Sequence, residues 1–425
     1  MTKTRVLIVD DSATIRSALR IMIRKQPDME VVGTAGDGAE GVRLTGELKP
    51  DIVLMDIEMP VMTGIQAVRE IMSHHPAPVL IFSSIAEEAA PATFEALEAG
   101  AVDFVTKGGG GSSIDIGEIR ETLLAKIRAI TGGDTDILAR NPATTLVRNR
   151  ESFKNHLLSL KSTVEPDSLT AKRLAKQINT IDTDKPPPDR TTRLLPTDVS
   201  GQFYQQPPVG YEERKNAFIG GVPRKPYHLV AIGCSTGGPQ ALHTVLSRIP
   251  GNFPLPIVVV QHMPQTFVPT FASRLGKNTE CKVEVATHGE VLKAGTIYIA
   301  PGGMHLRVRA RAERLSFDLN EQDVDDIVHK PSVDVLFESI HKAMGGETLA
   351  AVLTGMGRDG AAQAKRLHND GATVIAQTKD TCVVYGMPRA VITEQSADLA
   401  LPVEEIGDAI VYLTWEAGHR FVRNP

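Results

Sequence analysis

Short apolar runs that alternate with helix-spaced apolar residues constrain the fold of this chain more than any other feature. Near the start, runs at residues 6–9 and 52–55 are each followed by a segment whose apolar residues recur every three or four positions, as Ile15, Leu19 and Met22 do. Short continuous apolar runs indicate buried strands of a parallel sheet, and helix-spaced segments between them indicate crossover helices. The alternation predicts doubly wound α/β architecture.

The alternation occurs in two blocks. The first has runs at residues 6–9, 31–33, 52–55, 79–82 and 104–105. The second has runs at residues 228–233, 256–261, 282–286, 296–300, 348–354 and 372–376, with helical patterns between most of them. We therefore predict two α/β domains, at residues 1–131 and 227–418.

Residues 132–226 separate the two blocks and differ from both. This stretch is rich in Ser, Thr, Asn, Pro and Gln, and it contains the proline groups 186–188 and 207–208. Because structureless loops of this length are uncommon inside one compact domain, the composition predicts a long flexible linker. Within it, residues 151–161 and 168–181 could form short helices.

Overall composition excludes several classes of function. The chain has 46 basic and 51 acidic residues, a net charge of −5, which argues against a protein that coats nucleic acid or inserts into an anionic membrane. Three cysteines are too few for a disulfide scaffold. The N-terminus lacks the apolar segment of a signal peptide, and no apolar run approaches the ~20 residues that span a bilayer. We expect a cytoplasmic protein.

Three carboxylates follow strands of the first block. Asp10 and Asp11 end the first predicted strand, and Asp56 ends the third. Because parallel strands open onto one crevice at their carboxyl ends, these groups should converge and bind Mg²⁺. Ser83 and Lys107 follow the fourth and fifth strands, and the set suits a phosphoryl group carried on a carboxylate. Taken singly, an Asp at a strand end is usually a helix cap or a turn residue, and a Lys after a strand is usually solvated.

A glycine-rich turn opens the second block. Gly233-Cys234-Ser235-Thr236-Gly237 follows a strand and precedes a helix. This arrangement is typical of a nucleophile elbow that exposes the hydroxyl of Ser235. It is also compatible with a turn that binds a phosphate or dinucleotide, although it lacks the G-x-G-x-x-G spacing and the lysine of a P-loop.

Two further strand ends offer partners for Ser235. His262 directly follows the strand at 256–261, and Asp359 follows the strand at 348–354. A serine nucleophile needs a base within reach and a carboxylate to orient that base. Individually, His262 could be a satisfied polar residue and Asp359 a helix cap, but the three junctions together predict a Ser-His-Asp triad.

One cysteine and two histidines of the second block have simpler structural interpretations. Cys234 is interpreted as a small buried residue, and His305 and His329 either line the cleft or are ordinary histidines. No Cys/His cluster has zinc spacing, so we predict no metal or cofactor in this domain.

The first block resembles the receiver domain of two-component response regulators, a flavodoxin-like doubly wound parallel sheet. The resemblance rests on Val-Asp-Asp-Ser at 9–12, Met-Asp-Ile-Glu-Met-Pro at 55–60 with Gly64, Ser-Ser at 83–84 and Val-Thr-Lys at 105–107. It implies that Asp56 is the phosphoacceptor and that Mg²⁺ binds to Asp10, Asp11, Asp56 and the backbone carbonyl of Glu58. It also implies that Ser83 and Lys107 contact the phosphoryl group and that Phe104 changes rotamer in response.

The second block resembles the catalytic domain of the chemotaxis protein-glutamate methylesterases, which follows a receiver domain in that family. The resemblance rests on Gly-Cys-Ser-Thr-Gly-Gly-Pro at 233–239, Gln-His-Met-Pro at 261–264, Ala-Pro-Gly-Gly-Met-His at 300–305, Lys-Pro-Ser-Val-Asp-Val-Leu-Phe at 330–337 and Leu-Thr-Gly-Met-Gly-Arg-Asp-Gly at 353–360. It implies an α/β domain with a mainly parallel sheet and the triad Ser235, His262 and Asp359. Backbone N–H groups near Thr236 and Met356 are implied for the oxyanion hole.

These resemblances imply a phosphorylation-activated esterase in chemotaxis adaptation. It would remove methyl groups from glutamate γ-methyl esters of chemoreceptors and deamidate receptor glutamines, with the unphosphorylated receiver covering the Ser235 cleft. Its partners would be a sensor histidine kinase and the cytoplasmic domains of methylated chemoreceptors. Two rivals remain: a non-catalytic output module, and a DNA-binding regulator, which would need a basic helix-turn-helix where the second block has strands.

Overall fold

The computed structural model describes residues 3–83, 89–107, 116–132, 222, 225–311, 314–320 and 329–418. Within these ranges the chain divides into two compact units, each containing one parallel sheet. The possible helices at 151–161 and 168–181, and nearly all of the expected linker, lie outside the described residues. The domain limits 1–131, 132–226 and 227–418 therefore stay predictions.

The first unit is a five-stranded sheet flanked by helices. Its strands are β1 Thr4–Val9, β2 Met29–Ala35, β3 Ile52–Met55, β4 Val79–Ser83 and β5 Asp103–Thr106. Its helices are α1 Ala13–Arg24, α2 Gly38–Leu48, α3 Gly64–His74, α4 Ala90–Glu98 and α5 Ile116–Thr131. All neighbouring strands are parallel, in the order β2-β1-β3-β4-β5. Each predicted apolar run lies in one strand, because a sheet covered on both faces needs apolar residues at consecutive positions.

Polar residues after the strands of this unit start its helices. Ser12 caps α1 by accepting a hydrogen bond from the N–H of Ile15, and Asp37 caps α2 in the same way through the N–H of Glu40. Thr63 and Gln66 form a reciprocal capping box at the start of α3. These caps satisfy N–H groups that a helix leaves without internal partners, and so they fix where each helix begins.

The second unit is built on a seven-stranded sheet. Its strands are β6 Leu229–Cys234, β7 Ile257–Gln261, β8 Lys282–Val285, β9 Thr296–Ile299, β12 Thr348–Val352, β13 Thr373–Gln377 and β14 Leu399–Leu401. Strands β10 His305–Arg311 and β11 Arg314–Asn320 form a separate antiparallel pair. The helices are α6 Gly238–Leu246, α7 Val268–Lys277, α8 Val333–Met344, α9 Ala361–Asn369, α10 Met387–Thr393 and α11 Val403–Gly418.

The order of the seven strands places β6 near the middle of the sheet. The order is β14-β13-β12-β6-β7-β9-β8, and every neighbouring pair is parallel. The predicted fold class, two α/β units with parallel sheets, is therefore confirmed. The chain runs outward from β6 to β7 on one side and later returns to β12 on the other. A reversal of this kind creates the crevice in which parallel α/β sheets commonly bind ligands.

No helix among the described residues is both long and apolar enough to cross a membrane.

Candidate functional site

The first unit brings three carboxylates together at the carboxyl ends of β1 and β3. Asp10 directly follows β1 and Asp56 directly follows β3, and these strands are paired side by side. Asp10 and Asp56 are buried, whereas Asp11 is exposed. One carboxylate oxygen from each of the three residues lies within 4.8 Å of those from the other two. Several carboxylate oxygens at one point are the donor set that Mg²⁺ takes in proteins, so the residues fit this cation.

Lys107 bridges two of these carboxylates. Its Nζ lies 2.9 Å from Oδ2 of Asp10 and 2.8 Å from Oδ2 of Asp56. Burial raises the pKa of the Asp56 carboxyl, while the hydrogen bond and charge of Lys107 act in the opposite direction. The ammonium thus compensates part of the negative charge that folding concentrates here.

The other residues expected around this pocket are Ser83, Phe104 and Glu58. Ser83 ends β4 and is buried, with its hydroxyl 3.1 Å from that of Thr93, and its carbonyl accepts a hydrogen bond from the N–H of Lys107. Phe104 is buried within β5, and the side chain of Glu58 is exposed. The strand ends therefore bring Ser83 and Lys107 together, whereas the roles of Glu58 and Phe104 remain as implied by the resemblance.

The second unit brings the three residues expected for a triad to one edge of its sheet. Ser235 directly follows β6, His262 directly follows β7, and Asp359 lies in the loop between β12 and α9. These three strands are adjacent, with β6 in the centre. Backbone hydrogen bonds continue past the strand ends, because the N–H of Ser235 donates to the carbonyl of Thr354 and the N–H of His262 donates to the carbonyl of Cys234.

Asp359 and His262 are directly bonded. Oδ2 of Asp359 lies 2.8 Å from Nε2 of His262. The same carboxylate accepts hydrogen bonds from Ser332 Oγ at 2.9 Å and from the N–H groups of Val333 at 2.7 Å and Asp334 at 2.9 Å. These three donors belong to the first turn of α8 and its cap, where the helix dipole also favours negative charge. The carboxylate thus accepts four hydrogen bonds, one of which comes from His262.

The electrostatic balance keeps Asp359 ionised. Burial alone would raise its pKa, but the hydrogen bond and charge of His262, together with the N–H groups of Asp334 and Val333, outweigh burial and hold the pKa at about 2. An ionised carboxylate bonded to one ring nitrogen orients the imidazole and stabilises its cation.

The other ring nitrogen of His262, Nδ1, is the one left for proton transfer. In the described part of the chain no hydrogen bond joins the Ser235 hydroxyl to His262, which is common before a substrate tightens the site. The ring of His262 stacks on that of His329, with centroids 4.6 Å apart and an angle of 27° between the planes. Folding therefore joins base and carboxylate, and places the serine on the neighbouring strand end.

Thr236 and Met356 are the two residues expected near the oxyanion. The residues that precede them, Ser235 and Gly355, lie close together. Thr236 follows Ser235 and is buried, and Met356 follows Gly355. A Cβ built on Gly355 would lie 2.9 Å from Cβ of Ser235 and 3.0 Å from its backbone nitrogen. Glycine at this position permits the close approach of the two loops.

Family models match both units. The response regulator receiver domain matches residues 6–115, and CheB methylesterase matches residues 230–410. A protein-glutamate methylesterase/protein-glutamine glutaminase of Shewanella frigidimarina is 39% identical over 96% of this chain and 98% of its own length. The Desulfitobacterium hafniense protein of the same name is 36% identical over 96% of each chain. This chain belongs to that family.

A solved methylesterase structure is also similar to part of this chain. The catalytic domain of the Thermotoga maritima CheB methylesterase is 42% identical, with a TM-score of 0.43, and the match covers 44% of this chain and 98% of that domain.

The methylesterase domain contains functional contacts that sequence reasoning missed. Ser332 and the first turn of α8 hold Asp359, and the side chain of Gln261 contacts the loops of both Ser235 and His262. Both residues stand within motifs that carry the family resemblance, but a motif does not say what a side chain touches. Cys234 is fully buried as expected, and burial raises the pKa of its thiol, which disfavours a nucleophilic thiolate. His305 is buried and His329 is exposed.

The receiver domain also contains two contacts that were missed. Nη1 of Arg16 donates to the backbone carbonyls of Asp10 at 2.6 Å and Asp11 at 2.9 Å, which fixes the turn that carries both carboxylates. Gly64 passes so close to Asp56 that a Cβ there would lie 1.9 Å from the Asp56 carbonyl oxygen. The glycine was part of the family motif, but only the three-dimensional contact explains it.

Proposed function

We propose that this chain is a methylesterase that hydrolyses glutamate γ-methyl esters of chemoreceptors and deamidates receptor glutamines. The names of its full-length relatives support the reaction class. The hydrogen bond between His262 and Asp359, at the strand end beside Ser235, is the observation that supports a catalytic rather than a binding role. A module that only bound a partner would have no need of an oriented imidazole there.

In the proposed reaction Ser235 is the nucleophile and His262 the general base. Ser235 Oγ adds to the γ-carbonyl carbon while its proton passes to Nδ1 of His262, and Asp359 stabilises the resulting imidazolium. Collapse of the tetrahedral intermediate breaks the bond to the methoxy group, and His262 returns the proton to release methanol. Water then cleaves the acyl-enzyme by the same proton route and yields glutamate. With glutamine as substrate, ammonia leaves instead of methanol.

Backbone N–H groups of Thr236 and Met356 are proposed to stabilise the oxyanion of each tetrahedral intermediate. They follow Ser235 and Gly355, whose backbones are in close contact. Two donors from two different loops can hold one oxygen that develops charge only in the transition state.

We further propose that phosphorylation of Asp56 raises the rate of this reaction. Asp10, Asp11 and Asp56, with the Glu58 carbonyl, would hold Mg²⁺, which supplies positive charge that neutralises phosphoryl oxygens. Asp56 accepts the phosphoryl group on a carboxylate oxygen, and Lys107 and Ser83 bind it. A rotamer change of Phe104 transmits the change. The phosphodonor is a sensor histidine kinase, the substrates are cytoplasmic domains of methylated chemoreceptors, and the reaction takes place in the cytoplasm. We expect no nucleic-acid partner and no insertion into the membrane.

The experiment that tests the esterase is methanol release from methylated receptor membranes. Wild type should release methanol, and Ser235→Ala should abolish release because the nucleophile is lost. Ser247→Ala, an exposed serine of the same unit, is the matched control and should behave as wild type. Release that persists in Ser235→Ala would refute the triad. The absence of release by folded wild-type protein would favour the non-catalytic output module.

A further inference from the structure

We infer that Gln261 is a positioning residue for the oxyanion hole, acting through the peptide bond that follows Ser235. This inference rests on the proposed function, in which the N–H of Thr236 stabilises the oxyanion. Gln261 is the last residue of β7 and is 3% exposed. It has no place in the proton transfers of the reaction.

The side-chain amide of Gln261 joins the two catalytic loops. Its Nε2 donates to the backbone carbonyl of Ser235 at 3.0 Å and to the backbone carbonyl of His262 at 3.0 Å. Its Oε1 accepts from Sγ of Cys234 at 3.1 Å. Both carbonyls can only accept hydrogen bonds, so chemistry requires the NH₂ end of the amide to face them. All the strong donors of this buried amide are therefore committed to the serine and the histidine loops.

The contact with Ser235 determines where the next N–H points. In a planar trans peptide the carbonyl and the following N–H point in opposite directions. When Gln261 holds the carbonyl of Ser235 towards the buried end of β7, the N–H of Thr236 is directed away from that anchor. A small rotation of this peptide would turn the donor away from the oxyanion.

The second proposed donor is held in a corresponding way. The carbonyl of Gly355 accepts hydrogen bonds from the N–H groups of Gly386 at 3.1 Å and Met387 at 2.9 Å, at the start of α10. The same rule then fixes the N–H of Met356. The N–H of Met356 is thus positioned by the start of a helix and the N–H of Thr236 by a buried glutamine side chain. Substitution of Gln261 alone can therefore test the second of these contacts.

Two isosteric variants of the full-length chain test the inference in the receptor-membrane assay. Gln261→Glu keeps the shape and loses both N–H donors, and Gln261→Met loses them without burying a charge. Removal of one oxyanion donor costs about 10²- to 10³-fold in kcat, and we expect misdirection of this donor to lower kcat by about 10- to 100-fold with KM within about twofold, because the contact stabilises only the transition state. Deamidation should fall by the same factor as ester hydrolysis, since both reactions pass through the same oxyanion.

Thr414→Val is the matched control. Thr414 is also buried in the second unit, and its hydroxyl donates to the backbone carbonyl of Ile410 at 2.7 Å inside α11. Valine keeps the shape and loses this buried donor, as the Gln261 variants lose theirs. We expect a loss of thermal stability, with kcat within about twofold of wild type.

The outcomes separate this inference from the proposed function. Wild-type kcat in a folded Gln261 variant, a change confined to KM, or an equal loss of kcat in Thr414→Val at matched stability would each overturn it. If Gln261→Glu does not fold at the assay temperature, Gln261→Met decides the same comparison. Release that persists in Ser235→Ala would instead refute the proposed function itself.

Discussion

The surroundings of Asp359 show how completely the hydrogen bonding of a carboxylate can depend on tertiary structure. Its four donors lie 25 to 97 residues away in sequence, in the His262 loop and at the start of α8. A carboxylate accepts about four hydrogen bonds, so its capacity is fully used. The low pKa is therefore a property of the folded state, and it links the charge of Asp359 to stability.

We predict that Asp359 stabilises the methylesterase domain in a pH-dependent way. The folded-state pKa of about 2 lies below the ordinary value of 3.8. Ionised Asp359 therefore contributes its full stabilisation, about 2 kcal/mol, above about pH 4, and the contribution is lost as pH falls to about 2. Asp359→Asn should lower the free energy of unfolding by a margin that shrinks over this range. Denaturant unfolding followed by circular dichroism at each pH measures this margin.

Glu338→Gln provides the control for this titration. Glu338 forms an exposed pair with Lys342 on the surface of α8, and such pairs contribute little. The unfolding free energy of Glu338→Gln should stay within about 1 kcal/mol of wild type at each pH, because a pair on the helix surface is screened by solvent. A constant difference for Asp359→Asn would contradict a depressed pKa.

Sequence alone could locate the proposed reactive residues but not the residues that hold them. Ser235, His262 and Asp359 were predictable because parallel strands place their carboxyl ends at one edge of a sheet, and each residue follows an apolar run. Gln261 and Ser332 were not, because one ends a buried strand and the other caps a helix, and neither position reveals which backbone group its side chain meets. The same limit applies to Arg16 in the receiver domain.

At the scale of single elements, the start of helix α8 supplies most of the hydrogen bonds that hold Asp359. Its first turn supplies two N–H donors, and Ser332 supplies a hydroxyl that also caps the helix through the N–H of Val335. Gly233 allows this helix to approach β6, since a Cβ there would lie 2.4 Å from Cγ1 of Val333. The helix is thus placed against the strand that carries the nucleophile.

We predict that Ser332→Ala weakens the helix start and the carboxylate together. Loss of an N-cap side chain should lower the free energy of unfolding by about 1 kcal/mol. Because three donors to Asp359 remain, the loss of kcat should be much smaller than the roughly 100-fold loss that a 1 Å misplacement can cause. Urea titration and methanol release measure the two effects, with Ser247→Ala unchanged in both. A loss of kcat as large as that of Asp359→Asn would show that the hydroxyl matters far more than its one hydrogen bond suggests.

Three strands of this domain were absent from the sequence prediction. Strand β14 has only three residues, Leu399–Leu401, which is too short for a periodic pattern to stand out. Strands β10 and β11 pair with each other rather than with the main sheet, and charged residues such as Arg307, Arg309 and Arg311 interrupt the apolar run of β10. The longer apolar strands were predictable because both of their faces are buried.

On the scale of the whole molecule, the chain places the proposed phosphoacceptor pocket and the proposed hydrolytic site on separate compact units. The receiver residues Asp10, Asp56 and Lys107 form one charged cluster. The Ser235 site has its own hydrogen bond between His262 and Asp359. The proposed regulation therefore requires a change that begins at Asp56 and alters the rate at Ser235.

We predict that Asp56→Asn removes the response to phosphorylation and leaves the basal rate intact. Wild type should release methanol faster when a small phosphodonor and Mg²⁺ are both present, because the new dianion draws Lys107 and Ser83 to it. Asp56→Asn offers no carboxylate for phosphorylation, so its rate should not rise. Asp37→Asn removes one charge but keeps an equally good cap for α2, and it should respond as wild type does.

If the wild-type protein is shown by its mass to carry the phosphoryl group and still releases methanol no faster, that result would refute receiver control and keep the esterase proposal. Persistent stimulation of Asp56→Asn would assign the phosphoacceptor to another residue.

The strand order of the methylesterase domain has a consequence for a chain still being synthesised. The proposed nucleophile and base are made early, after β6 and β7, but β12, which lies beside β6 and leads to Asp359, follows only after the β10–β11 pair and α8. A nascent chain that has not yet delivered residue 359 holds Ser235 and His262 without the group that orients them. By the proposed mechanism, a product truncated before residue 359 should therefore show no turnover.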